Sequence, residues 1–109
     1  MDRVFDLAAL RAERAASGVP YLEFLRVPSM SAGLYELPAG GEDRQRPHGE
    51  DEVYCVLAGR ATWEAGGRRT PVGPGAVVFV SAGDAHRFVD VEQDLTLLVV
   101  FAPPEGAAG

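Results

Sequence analysis

The sequence predicts an all-β protein, an antiparallel sandwich or small barrel with one short helix at its start. Three observations carry that expectation. Short β-branched and aromatic runs recur from Tyr21 onward, glycines and prolines punctuate them, and no second helical pattern is present to cross over a parallel sheet. With Gly 13 and Pro 8 in 109 residues, tight turns must be frequent.

The elements follow in order. Residues 6–17 read as the helix: Asp6 suits the N-cap, Leu7, Leu10 and Arg14 recur at helical spacing, and Gly18 with Pro20 gives the stop. Its apolar stripe is thin, so it is expected to lie over an opening or edge and not in the core. Tyr21 to Val27 and Ser31 to Leu37 read as strands, each ending at a proline. Val53 to Leu57 stops at Gly59, and Arg60 to Glu64 and Arg68 to Val72 form a hairpin around Gly66-Gly67. Gly73-Pro74-Gly75 turns the chain into Ala76 to Val80. Ala85 to Val91 and Leu95 to Phe101 complete eight short strands, so the β part covers residues 21–102 and the tail 103–109.

Composition bounds the function. A chain of 109 residues with 47% hydrophobic and 24% charged residues is ordinary globular usage and suits one domain, residues 1–109. The net charge of −6 argues against a nucleic-acid partner, which would need a basic face. One cysteine, Cys55, excludes an internal disulfide and a multi-thiolate zinc site. The longest uncharged stretches, Gly73 to Gly83 and Leu95 to Pro104, are too short to span a membrane as a helix. Charges at Asp2, Arg3 and Asp6 interrupt the N-terminal apolar residues, so a cytoplasmic location is expected, without a secretion signal.

The two histidines, His48 and His86, carry the chemistry. His48 precedes Gly49 and the acidic run Glu50-Asp51-Glu52, and His86 follows the turn Ser81 to Ala85. Two imidazoles and a carboxylate from two β-segments suit Fe(II), Mn, Ni or Zn with open positions. An extended chain would separate His48 and Glu52 by roughly 13 Å. A shared ion therefore requires a bend between them, which Gly49 permits.

The stretch from Gly40 to Gly59 resembles the first conserved motif of the cupins, G(X)5HXH(X)3-4E(X)6G, with His48 at the second histidine and Glu52 at the acid. Gly75 to Asp90 is similar to the second, G(X)5PXG(X)2H(X)3N, with Gly75, Gly83 and His86 in register. The resemblance implies a double-stranded β-helix, a jelly-roll barrel with a metal inside, held by His48, Glu52 and His86. Arg46 stands where the first histidine belongs, Ser81 where proline does and Asp90 where asparagine does. A guanidinium does not ligate, so the implied site has lost one ligand.

Arg46 reads two ways, as a forked anchor for a substrate carboxylate or phosphate or as a solvent-facing loop residue beside Gln45. Tyr54 shares strand parity with Glu52, and Phe88 with His86, making both candidate pocket residues as well as candidate core. Cys55 has the opposite parity and is expected to pack outward. Trp63 suits either a pocket or a subunit contact, and Asp84 either supports an imidazole or forms the turn. The expected function is a metal-dependent enzyme on a small polar substrate, oxygenase-like or isomerising. The alternative is a non-catalytic ligand-binding or structural barrel with weak metal binding or none. A homodimer is expected, through apolar sheet surface and the edge strand before Val27.

Overall fold

A computed structural model describes residues 2–44 and 49–107. Helix α1 spans Leu7–Ser17; the Asp6 carboxylate accepts from the Ala9 amide at 3.0 Å, and Gly18, at φ 73°, closes the last turn onto the Arg14 carbonyl. None of its residues is buried. Arg11 and Arg14 clasp Glu36 from above, which fixes the helix at the sheet edge, as the thin stripe implied.

Six strands follow: β1 (Tyr21–Val27), β2 (Met30–Leu37), β3 (Asp51–Ala65), β4 (Arg68–Val72), β5 (Val77–Val80) and β6 (His86–Ala102). All pairings are antiparallel, in the order β1-β2-β6-β3-β4, with β5 also on β3. Two corrections follow. The expected strands 53–57 and 60–64 are one strand, β3, and the expected 85–91 and 95–101 are likewise one, β6. The sheet among the described residues is also not closed: the β-rich fold stands, folded over on itself, without the full closure of a barrel.

The fold-over lies in β3 and β6. Straight, these strands would reach about 50 Å or more, yet the molecule measures 40 Å in its longest dimension. Their mutual pairing shifts register between Val56 and Thr62, so both bend without breaking apart. Side-chain alternation switches there: Glu52, Tyr54 and Val56 face inward before the shift, Ala61 and Trp63 after it.

Gly59 makes the switch possible. It sits at φ 91°, and a Cβ there would lie 2.2 Å from the Asp94 carbonyl oxygen. On β6, Asp90 adopts φ 49°, a conformation that Asp and Asn tolerate better than other side-chain-bearing residues. The inward set there passes from His86 and Phe88 to Val91, Leu95 and Leu97. Both halves of the bent sheet thereby feed one core, with Leu37, Tyr54, Trp63, Phe88 and Leu97 among its members.

Candidate functional site

The bend brings opposite ends of β3 together. Glu52 pairs with Phe101 near the start of β3, whereas His86 pairs with Ala65 at its end. A straight strand would hold those positions roughly 40 Å apart. Instead, His86 Nε2 lies 3.2 Å from Glu52 Oε1, with both side chains almost wholly buried. The turn before His86 is tied back to β3, because the outward Asp51 carboxylate accepts from the Ala82 amide at 2.8 Å.

Each contact of the imidazole has a distinct role. Nδ1–H donates to the Asp84 carbonyl at 2.9 Å, fixing the tautomer and leaving Nε2 as the reactive nitrogen. The Tyr54 hydroxyl stands 3.2 Å from that nitrogen, and Trp63 stacks on the ring at 5.4 Å and 27°. Burial alone pulls the imidazole down. Glu52, the Asp84 carbonyl and the charge of Asp43 outweigh it and hold His86 above its ordinary value.

A cavity of about 650 Å³ opens beside this pair, lined by Tyr21, Tyr35, Tyr54 and Phe101 and reached by Glu52. His86 is not among its lining residues; the residue borders a smaller depression of about 420 Å³ near Gly66-Gly67. Asp43, 5% exposed, accepts from the Tyr35 hydroxyl at 3.0 Å and the Phe88 amide at 2.9 Å. It pins the loop that leads toward residues 45–48.

Of the sequence-derived site residues, Glu52, Tyr54 and His86 come together. His48 and Arg46, with Gln45, lie outside the described residues. Phe88 faces inward as its parity implied, but behind Tyr54 and Trp63, edge-on to both, and not on the large cavity. Asp84 supports His86 through its backbone carbonyl and not its carboxylate. Cys55 is half-buried on the opposite face. Among the described residues, no three His, Cys, Asp or Glu side chains converge on one point.

Trp63, open between a pocket and a subunit contact, stacks on His86 and so belongs to the site. Two further residues escaped the sequence reading. Asp43 sits in a run of charged residues. Glu50, in an acidic run, is 1% exposed, and neither carboxylate oxygen has a hydrogen-bond partner among the described residues. No local pattern announces these burials. Tyr21 did have a signal: Gly33 inside β2, where a Cβ would meet the tyrosine ring at 2.2 Å, marks a close approach.

Comparison with known proteins agrees with this architecture. A family profile described as Cupin domain matches residues 33–101. An uncharacterized protein of Streptomyces coelicolor is 52% identical over 103 residues, covering 94% of this chain and 98% of its own. The structure of TT1209 from Thermus thermophilus is similar at TM-score 0.76 and 28% identity, covering 93% of this chain and 97% of that one. A Klebsiella pneumoniae protein with a double-stranded β-helix domain gives TM-score 0.76 at 20% identity, covering 100% and 95% of the two chains.

The raised His86 pKa has a consequence for stability. Stabilisation by a group whose folded pKa is raised is complete below its unfolded value, about 6.5, and is lost as pH rises through the folded value. We expect the Tm of metal-stripped protein to fall across that window, and the fall to flatten in His86→Gln. An unchanged slope in the variant would contradict the assignment.

Proposed function

The chain belongs to the Cupin domain family, and on that premise we propose that it binds a divalent transition metal through His48, Glu52 and His86 and acts on a small polar molecule. The observation that carries this reading is the 3.2 Å approach of His86 Nε2 to Glu52 Oε1 beside a cavity. Donors at about 2.1 Å on adjacent corners of one ion stand about 3 Å apart, so these two fit. His48 supplies the third. Imidazole and carboxylate together suit Fe, Mn, Ni or Zn.

When bound, the ion supplies open coordination positions and polarises a ligand oxygen, the basis of oxygenase-like or isomerising chemistry. The chain's own groups orient that chemistry. The Asp84 carbonyl holds the imidazole in the tautomer that presents Nε2, and Trp63 and Tyr54 fix its plane. Tyr54 forms a wall of the cavity, Phe88 backs it, and Arg46 is assigned to the substrate side.

A second reading, ligand binding without metal, draws support from the same contact. The surroundings that raise the His86 pKa allow an imidazolium–carboxylate pair to close the site unaided. Metal analysis of protein purified without chelator separates the two. We expect about one ion per chain, falling at least about tenfold in His86→Ala and Glu52→Gln. Metal-free wild-type protein overturns the first reading and leaves the second.

We place the protein in the cytoplasm, where the single free thiol, Cys55, stays reduced. No helix among the described residues is long and apolar enough to cross a membrane. We also assign it a homodimer. Strand β1 lies at the sheet edge, and Val77 and Phe79 on β5 are 68% and 63% exposed. Sedimentation is expected to give twice the chain mass of 11.6 kDa; the mass of one chain refutes it.

A further inference from the structure

Tyr54 is held firmly in the site. It sits on the middle strand of three, paired with Val99 of β6 on one side and Val78 of β5 on the other. Its side chain is wholly buried, and other rings pack against it. Phe88 meets it at 5.1 Å and 85°, Trp63 at 5.5 Å and 60°, and His86 at 6.0 Å and 60°. A ring packed that way has little room to swing, so the direction of its hydroxyl is built into the fold.

That hydroxyl reaches the same nitrogen as the acid does. Tyr54 Oη and Glu52 Oε1 each lie 3.2 Å from His86 Nε2. Because Nδ1–H is committed to the Asp84 carbonyl, the neutral ring keeps its lone pair on Nε2, beside both oxygens. Donor atoms on adjacent corners of one ion stand about 3 Å apart, so the phenol oxygen fits as well as the carboxylate. No three His, Cys, Asp or Glu side chains converge among the described residues; the third donor atom beside this pair belongs to a tyrosine. The motif itself is one ligand short, since Arg46 stands where its first histidine belongs.

We propose that Tyr54 is a further ligand of the ion, its phenolate oxygen making up the donor that the Arg46 position does not supply. This deepens the reading of the metal site and rests on it. On coordination the hydroxyl proton leaves for the solvent, and the oxygen lone pair goes to the ion. A phenolate beside the Glu52 carboxylate puts two anions among the donors. That set offsets more positive charge than two imidazoles and one carboxylate, and it favours iron, above all in its trivalent state.

The test is the visible spectrum of the full chain loaded with ferric ion, supplied as its nitrilotriacetate complex and freed of excess by gel filtration. Phenolate on ferric iron gives an intense visible charge-transfer band, which imidazole and carboxylate do not. The chain has three tyrosines, Tyr21, Tyr35 and Tyr54, and all line the cavity. Replacing each with phenylalanine therefore assigns the band. We expect Tyr54→Phe to abolish it and to weaken Zn(II) binding at least about tenfold, while Tyr21→Phe and Tyr35→Phe keep the band. If Tyr54→Phe folds poorly, a band retained in the other two variants assigns Tyr54 by elimination. A colourless chain holding one ferric ion overturns the tyrosine ligand and leaves His48, Glu52 and His86 as the metal site. A band that survives in Tyr54→Phe overturns it too, as does tighter Zn(II) binding by that variant, which would make the hydroxyl a competitor for Nε2. Wild-type protein that takes up neither ion removes the metal reading and this ligand with it.

Discussion

Two strands that are too long for the molecule have to bend, and the place where they bend determines everything at the site. Strands β3 and β6 run side by side through residues 51–65 and 86–102. A pair of that length lying flat would leave one face of each half exposed, with no second layer to cover it. Shifting the register in the middle lets each half cover the other. The shift is possible because Gly59 approaches the Asp94 carbonyl more closely than any side chain permits. His86 and Glu52 meet as a consequence of that approach, and neither belongs to a local motif that would bring them together alone.

The same constraint explains what the sequence revealed and what it concealed. Strand ends were legible where proline or a glycine pair stopped the chain, as at β1, β4 and the Gly66-Gly67 turn. Inward parity was legible within each half, so Tyr54 could be grouped with Glu52, and Phe88 with His86. Continuity through Gly59 was not, because a glycine after an apolar run looks like a stop until its partner strand is known. The relevant neighbour, Asp94, is remote in sequence. Burial of acids was equally hidden. Asp43 and Glu50 sit among charged residues, and only the folded-over sheet and its loop take them out of water.

Once folded, the sheet creates an electrostatic gradient with chemical meaning. At one end, Glu36 is neutralised by Arg11 and Arg14 of the helix, which holds α1 against the sheet edge. Deeper in, Glu52 faces His86, and the imidazole is oriented by a carbonyl that cannot itself ionise. Between them lie the rings of Tyr21, Tyr35 and Tyr54, the last two with their hydroxyls at Asp43 and His86. Family membership supplies the scaffold; what the site binds is decided by these side chains. Position 46, where an arginine replaces the first motif histidine, shows how far one chain departs from the common pattern within an intact fold.

The most direct test of this account is Gly59→Ala, compared with Gly66→Ala in the hairpin turn. Both glycines have positive φ, but only at Gly59 would a Cβ strike a neighbouring backbone; around Gly66 nothing lies within 4 Å. Chemical denaturation should show Gly59→Ala losing about 3 kcal/mol or more and Gly66→Ala about 1 kcal/mol, with the His86 imidazole signals displaced only in the first. Equal, small losses and unmoved His86 signals in both variants would mean that the bend does not depend on this contact and that the site is built some other way.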